Sequence, residues 1–214
     1  MKVKIGISQR VDNVISHAEY RDALDQRLSN WVAACECIPV PIPNNLVDLT
    51  LPNDNQPILD EWLTELNIDA ILLSGGNDLG EVISRDLTEK YLLFWAEKLY
   101  KPVLGICRGM QMMSVCAGSD LVKVSGHVAT THNLVIEKLY AETLPKLVNS
   151  YHKLALKKIP DTYVLLAKSE DGSIEAIKHK SLPWEGWMWH PERQKRFNKE
   201  DQFRFKLLIN NEQK

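Results

Sequence analysis

Apolar and polar residues alternate at the start of the chain, where Val3, Ile5 and Ile7 interleave with Lys2, Lys4 and Gly6. That period of two predicts a strand. Further on the period lengthens. Tyr20, Leu24, Leu28, Trp31, Val32 and Cys35 recur at helical spacing, which predicts an amphipathic helix of about four turns. "CIPVPIP" reads as a short extended piece ended by prolines, "LTLPNDNQP" as a loop and "ILDEWLTELN" as a helix. "DAILLSGGND" is an apolar strand running into a glycine turn, and "LTEKYLLFWAEKL" is helical by spacing. "PVLGIC" is then a strand, and "RGMQMMSVCAG" a helix ending near Gly118.

Strand and helix thus alternate through the first half. The strands Ala70–Leu73 and Val103–Ile106 are unbroken apolar runs, as expected when both faces of a parallel sheet are covered. The expectation is an α/β fold: doubly wound, with a mostly parallel central sheet flanked by helices, flavodoxin-like in outline. In the second half "NLVIEKL", "YVLLAKS", "SIEAIKHK" and "WEGWMWH" look like strands with fewer helices between them, and "KEDQFRFKLLINN" like a closing helix. With no repeat, low-complexity segment or linker, residues 1–214 read as one domain.

Composition narrows the function classes. The chain has 214 residues, 44% of them apolar, and a formal net charge of −2. That balance carries no electrostatic footprint for nucleic acid or an anionic membrane. No apolar run is long enough to span a bilayer, and the start of the chain does not read as a signal peptide. A cytoplasmic protein is expected, with a small-molecule partner and homodimerisation left open. The four cysteines are Cys35, Cys37, Cys107 and Cys116. Without a secretion signal they are not expected to form disulfides. Cys35 and Cys37 lack a second pair at zinc-like spacing, so Cys35, Cys37 and Cys116 read as buried thiols. Neither a metal nor a cofactor is expected.

Ligands of open parallel sheets sit at the C-terminal strand ends. Three such ends carry chemistry: "SGGND" (Ser74–Asp78), "GICRGMQ" (Gly105–Gln111) and "WMWHPER". Cys107 lies between Gly105 and Gly109, where a strand turns into a helix. Small neighbours suit a strained elbow that exposes a nucleophile, and the helix N-terminus favours a thiolate. A buried cysteine beside turn glycines explains the same stretch equally well. In "WHPE", Pro191 biases His190 to an extended backbone, so Glu192 can reach its imidazole as base and orienter of a triad. A surface His and Glu in a loop is the plainer alternative. The set also offers an oxyanion hole, from the backbone N–H of Gly76 and of Arg108; such donors contribute about 3 kcal/mol each.

The pieces "SGGND", "GICRGMQ", "NSYHK" and "WHPE", in this order, resemble the class I glutamine amidotransferase family, within it the γ-glutamyl hydrolase branch. The resemblance implies a Cys107–His190–Glu192 triad and a γ-glutamyl thioester. It further implies that Gln111 and Asn77, with the segment of Ser150, Tyr151 and His152, hold the glutamyl group. Where relatives acting on γ-glutamyl-amines carry a second His and a Gln after this segment, Lys153 and Leu154 stand here.

Overall, the chain is similar to enzymes of capsule phosphoramidate synthesis. That implies γ-glutamyl-CDP-amidate as substrate, with glutamate and cytidine diphosphoramidate as products. Arg10, after the first strand, and His127 and His132 in "GHVATTH" are then candidates for the phosphates. Trp184, Trp187 and Trp189 read as core more than as a base-stacking platform. The alternatives are a γ-glutamyl-aminobutyrate hydrolase, the glutaminase subunit of a two-chain amidotransferase, and a non-catalytic binding module.

Overall fold

The computed structural model describes residues 2–210. In chain order the first elements are β1 (Lys4–Ser8), β2 (Arg10–Val14), β3 (Glu19–Ala23), α1 (Gln26–Ala34), β4 (Ile38–Ile42), α2 (Pro57–Glu65) and β5 (Ala70–Leu73). Then come α3 (Ile83–Lys98), β6 (Val103–Ile106), α4 (Arg108–Cys116), β7 (Leu121–Lys123), β8 (Val128–Ile136), β9 (Leu147–Tyr151) and β10 (Leu154–Leu156). The last described elements are β11 (Tyr163–Ser169), β12 (Ile174–His179), β13 (Trp184–Trp187) and α5 (Lys199–Ile209). The last residue of the "KEDQFRFKLLINN" stretch, Asn211, lies outside the described residues.

Nine strands form one sheet in the order β4-β1-β5-β6-β13-β12-β11-β8-β9. From β4 to β13 all neighbours are parallel. Beyond β13 each pair is antiparallel, so β12 and β8 run against the rest. This is an α/β fold with a mostly parallel sheet flanked by helices. Its centre is covered on both faces, since Ile5, Ile7, Ile71, Leu72, Val103, Leu104 and Ile106 are all buried. No described helix is long and apolar enough to cross a membrane.

The long early helix is corrected. Tyr20 lies in β3, which pairs with β2 as a hairpin, and is 77% exposed. The turn between the strands ends at Ala18, in the left-handed region at φ 50°. The helix begins only at Gln26, where the Asp25 carboxylate accepts from Arg27 N at 2.9 Å. Tyr20 and Leu24 matched the period by coincidence; Asp25 as N-cap is the signal that separates them from α1. Cys35 and Cys37 are buried as expected, whereas Cys116, at the end of α4, is exposed. Trp187 and Trp189 are core residues, stacked at 5.3 Å.

Candidate active site

Parallel pairing sets the site. β6 lies between β5 and β13, with Gly105 beside both Leu73 and Gly186. The three chains therefore leave the sheet side by side, at Ser74, Cys107 and Met188. The Cys107 N–H continues the ladder to Trp187 O at 2.7 Å. Its backbone then turns sharply, to φ 52° and ψ −103°, a region that L-residues avoid.

The glycines on either side have no room for a side chain. A Cβ on Gly105 would lie 2.6 Å from the Gly109 carbonyl carbon, and one on Gly109 would lie 2.7 Å from Leu73 Cβ. The Cys107 elbow is thus pressed against β5 and the first turn of α4.

His190 follows β13 with an extended backbone, as Pro191 requires. Its Nδ1 lies 2.7 Å from Glu192 Oε1, and both side chains are buried. The ring also lies against Gly75, where a Cβ would come within 2.6 Å of His190 Cε1. Burial pulls the imidazole pKa down. Contact with the Cys107 sulfur and the Glu192 carboxylate outweighs it and lifts the value to about 9. At neutral pH an imidazolium therefore stands beside the sulfur. Such an arrangement can shuttle a proton between sulfur and a leaving atom while the carboxylate holds the ring.

Two clefts meet here. One, of about 270 Å³, is lined by Arg10, Asp12, Asp25, Gly76, His190 and Arg193 among others. The other, of about 240 Å³, is lined by Asn77, Cys107, Gln111, Tyr151, His152 and Leu154, again with Gly76, His190 and Arg193. The N–H of Gly76, at φ 85°, donates to no group among the described residues. The N–H of Arg108, at the first position of α4, has no intrahelical partner.

Other expected residues fall in different places. Gln111 reaches the second cleft, with Nε2 donating to Leu154 O at 3.0 Å. Tyr151 sets its ring edge-on to His190 at 5.8 Å. The Asn77 amide is occupied: Oδ1 accepts from Val11 N at 2.8 Å and Nδ2 donates to Val11 O at 3.2 Å. It anchors the β2–β3 hairpin. Ser150 is buried behind the cleft wall, its Oγ donating to His127 O at 2.8 Å. The grouping of His127 and His132 with Arg10 is corrected. Both turn inward with His152 towards the buried Glu175 carboxylate, away from the Arg10 cleft. The negative charge of Glu175 makes that pocket unsuited to a phosphate.

Several supporting residues were not foreseen. Arg85, fully buried, donates to Ser74 O at 2.8 Å, to Gly75 O at 3.1 Å and also to Gly76 O, so it pins the whole "SGG" turn. It pairs with Glu89, which also binds the Arg108 guanidinium and accepts from Ser8 Oγ at 2.8 Å. Asn149 holds the His190 backbone. Arg193 lies 4.8 Å over the Tyr151 ring, between the clefts. The i, i+4 spacing of Arg85 and Glu89 was visible in the sequence, but a surface helix pair has the same spacing.

Comparison with known proteins shows which family the chain belongs to. Over 138 residues the chain is 37% identical to a gamma-glutamyl-CDP-amidate hydrolase of Campylobacter jejuni, covering 61% of this chain and 66% of that protein. The match spans about two thirds of the relative's length. Over 143 residues it is 29% identical to a glutamine-hydrolyzing GMP synthase subunit of Methanocaldococcus jannaschii, covering 64% and 72%. Among solved structures, a glutamine amidotransferase of Thermotoga maritima superposes with a TM-score of 0.66 at 16% identity, over 99% of this chain and 86% of that one. The model of the family "Glutamine amidotransferase class-I" matches residues 19–209, and the chain belongs to that family.

Proposed function

We propose that the protein hydrolyses a γ-glutamyl amide through a thioester on Cys107, with γ-glutamyl-CDP-amidate as the substrate. The observation that carries this reading is the shared wall: Gly76, His190 and Arg193 line both clefts, and Cys107 opens into one of them. The glutamyl group occupies the cleft of Gln111 and His152, and the leaving group that of Arg10.

The Cys107 sulfur attacks the amide carbon, forming the C–S bond. The developing oxyanion is held by the N–H groups of Gly76 and Arg108. His190 passes the sulfur's proton to the leaving nitrogen as the C–N bond breaks. A water, deprotonated by His190, then cleaves the thioester and frees glutamate. Glu192 keeps the ring oriented and its positive charge stabilised.

The Arg10 cleft offers the guanidinium groups of Arg10 and Arg193 to an anionic leaving group, beside the carboxylates of Asp12 and Asp25. Arg10 is paired there only with Asp12, both side chains being about half exposed, and such a pair is readily exchanged for a stronger acceptor. Charge-assisted bonds to a diphosphate contribute about 1.5–3 kcal/mol each. The likeness to the Campylobacter hydrolase supports the same substrate. The relatives named as GMP synthase subunits favour a second reading, in which this chain is a glutaminase that feeds a partner synthetase.

Free glutamate released from γ-glutamyl-CDP-amidate, glutamine and γ-glutamyl-aminobutyrate by the isolated protein separates these readings. The first compound is expected to be turned over fastest, and Arg10→Ala to narrow its lead. If glutamine leads, or turnover needs an added protein, the glutaminase reading replaces this one.

A further inference from the structure

Three imidazole nitrogens converge on one buried carboxylate oxygen away from the Cys107 sulfur. His127 Nδ1 lies 3.6 Å from Glu175 Oε1, and the Nε2 atoms of His132 and His152 each lie 3.4 Å from it. Yet His132 Nε2, His152 Nε2 and both Glu175 oxygens make no hydrogen bond among the described residues. Glu175 is fully buried and His152 nearly so. Buried polar atoms are almost always partnered, so four orphans facing one another call for a missing ligand.

The outer contacts sort the ring nitrogens into two kinds. His127 Nε2 lies 2.8 Å from Asp171 Oδ2, and His152 Nδ1 lies 3.1 Å from Leu154 O. In the neutral rings each outer nitrogen carries the proton towards its acceptor, and the inner nitrogen keeps a lone pair. Ser150 Oγ is 3.4 Å from His127 Nδ1, but its proton goes to His127 O at 2.8 Å. Metal-bound histidines are oriented in this way, by a carboxylate or a backbone carbonyl behind the ring.

We propose that His127 Nδ1, His132 Nε2 and the Glu175 carboxylate hold a divalent cation of the zinc class, with His152 packed beside them. Ligand atoms of a tetrahedral zinc, with bonds of about 2.0–2.1 Å, stand about 3.3 Å apart, so a small closing movement would bring three of these side chains onto one ion. The inner atoms of His127, His132 and Glu175 already lie within 4.8 Å of one another. Imidazole donors select zinc and its neighbours over magnesium or calcium. None of these three ligands lines either cleft at Cys107, so the role is structural. The cation ties β8 to β12, and His152 packs the β9–β10 connection against the same carboxylate. Leu154 O, which holds His152, also receives Gln111 Nε2, so the site braces the wall of the Cys107 cleft. The proposal departs from the expectation of no metal, and it does not depend on the identity of the substrate.

Zinc content, measured on the chelator-stripped full chain after titration with zinc chloride and gel filtration, tests it. Cys107→Ala serves as the background, because a cysteine beside a histidine captures zinc by itself. About one zinc per chain is expected in that background, with a rise in Tm and, on cobalt substitution, the visible absorption of a tetrahedral site. Magnesium should give neither. Adding His132→Ala or Glu175→Gln should abolish stoichiometric binding, and Asp171→Asn should weaken it about 10- to 100-fold. The cobalt spectrum of the background chain decides the matter even if those variants fail to fold. Zinc lost with Cys107→Ala, or a Tm and cobalt spectrum indifferent to the metal, would overturn the proposal and leave a buried ion cluster.

Discussion

Asn149 grips the backbone of His190 from both sides: its Nδ2 donates to His190 O at 2.7 Å, and its Oδ1 accepts from His190 N at 2.9 Å. β9 lies at one end of the sheet and β13 at its centre, yet this side chain joins the first to the residue that follows the second. Asn149→Ala leaves both backbone groups of His190 without these partners and frees the ring to drift from the sulfur. Turnover is expected to fall about 10- to 100-fold, mainly in kcat, because a displacement of about 1 Å is enough for such a loss. Steady-state kinetics with a γ-glutamyl substrate checks it; a change confined to KM would mean that Asn149 serves binding instead.

Glu192 is one cause of the raised His190 pKa, with burial opposing it and Cys107 also contributing. Glu192→Gln should therefore move the His190 midpoint down from about 9, which NMR of the labelled imidazole reads directly. The sign for stability follows from the raised value. The imidazolium's contribution is complete below about 6.5 and is lost as pH rises through about 9. The gap in stability between wild type and Glu192→Gln, measured by urea unfolding, should be wide at pH 6 and close by about pH 10. Activity should fall less than in His190→Ala, since Glu192 orients a proton that His190 must carry.

Gly109 and Gly118 test the packing of the elbow. A Cβ on Gly109 would press on Leu73, while one on Gly118, at φ 84°, would meet nothing within 4 Å. Gly118→Ala carries only backbone strain, about 1–2 kcal/mol. Gly109→Ala adds overpacking against β5, and should cost about 1–3 kcal/mol more or prevent folding. Thermal unfolding of the two variants side by side is the measurement, and equal losses would show that the elbow is not tightly packed.

Cys107 should be strained as well as reactive. At φ 52° and ψ −103° its backbone costs about 1–3 kcal/mol, which glycine relieves and alanine does not. Both Cys107→Gly and Cys107→Ala should abolish turnover, and the glycine variant should be the more stable by about 1–2 kcal/mol after its greater freedom when unfolded is allowed for. Denaturant midpoints that rank alanine first would count against strain.

Alkylation by iodoacetamide should label Cys107 ahead of the other cysteines. Burial, aided by Cys37, pushes the Cys35 thiol up to about 12, and desolvation also raises Cys37 and Cys116. Mass mapping at short times gives the order; Cys116, being exposed, is the residue whose earlier labelling would refute it.

The strands from Ala70 and Val103 and the helix after Cys107 were legible because their apolar periods are long and their glycine turns unambiguous. The sequence placed Cys107, His190 and Glu192 at strand ends and supplied the reason for each: small flanking residues at the elbow, and a proline that extends the chain at His190. It misread Tyr20, since an isolated apolar residue fits a helical period and a hairpin equally well. It also grouped His127 and His132 with Arg10, whereas they face Glu175 beside His152, because a histidine's meaning depends on what it faces.

What the chain determined by itself was local: period, turn chemistry, and the spacing of residues within a few positions of one another. The partners of the site lie beyond the reach of any such period. Arg85 closes on Ser74, Gly75 and Gly76, Asn149 on His190, and three histidines on Glu175. No period links such residues. They meet only because the sheet sets β5, β6 and β13 side by side and brings β8, β9 and β12 together beyond them, and that order is fixed by the burial of whole faces, which no short stretch of sequence contains.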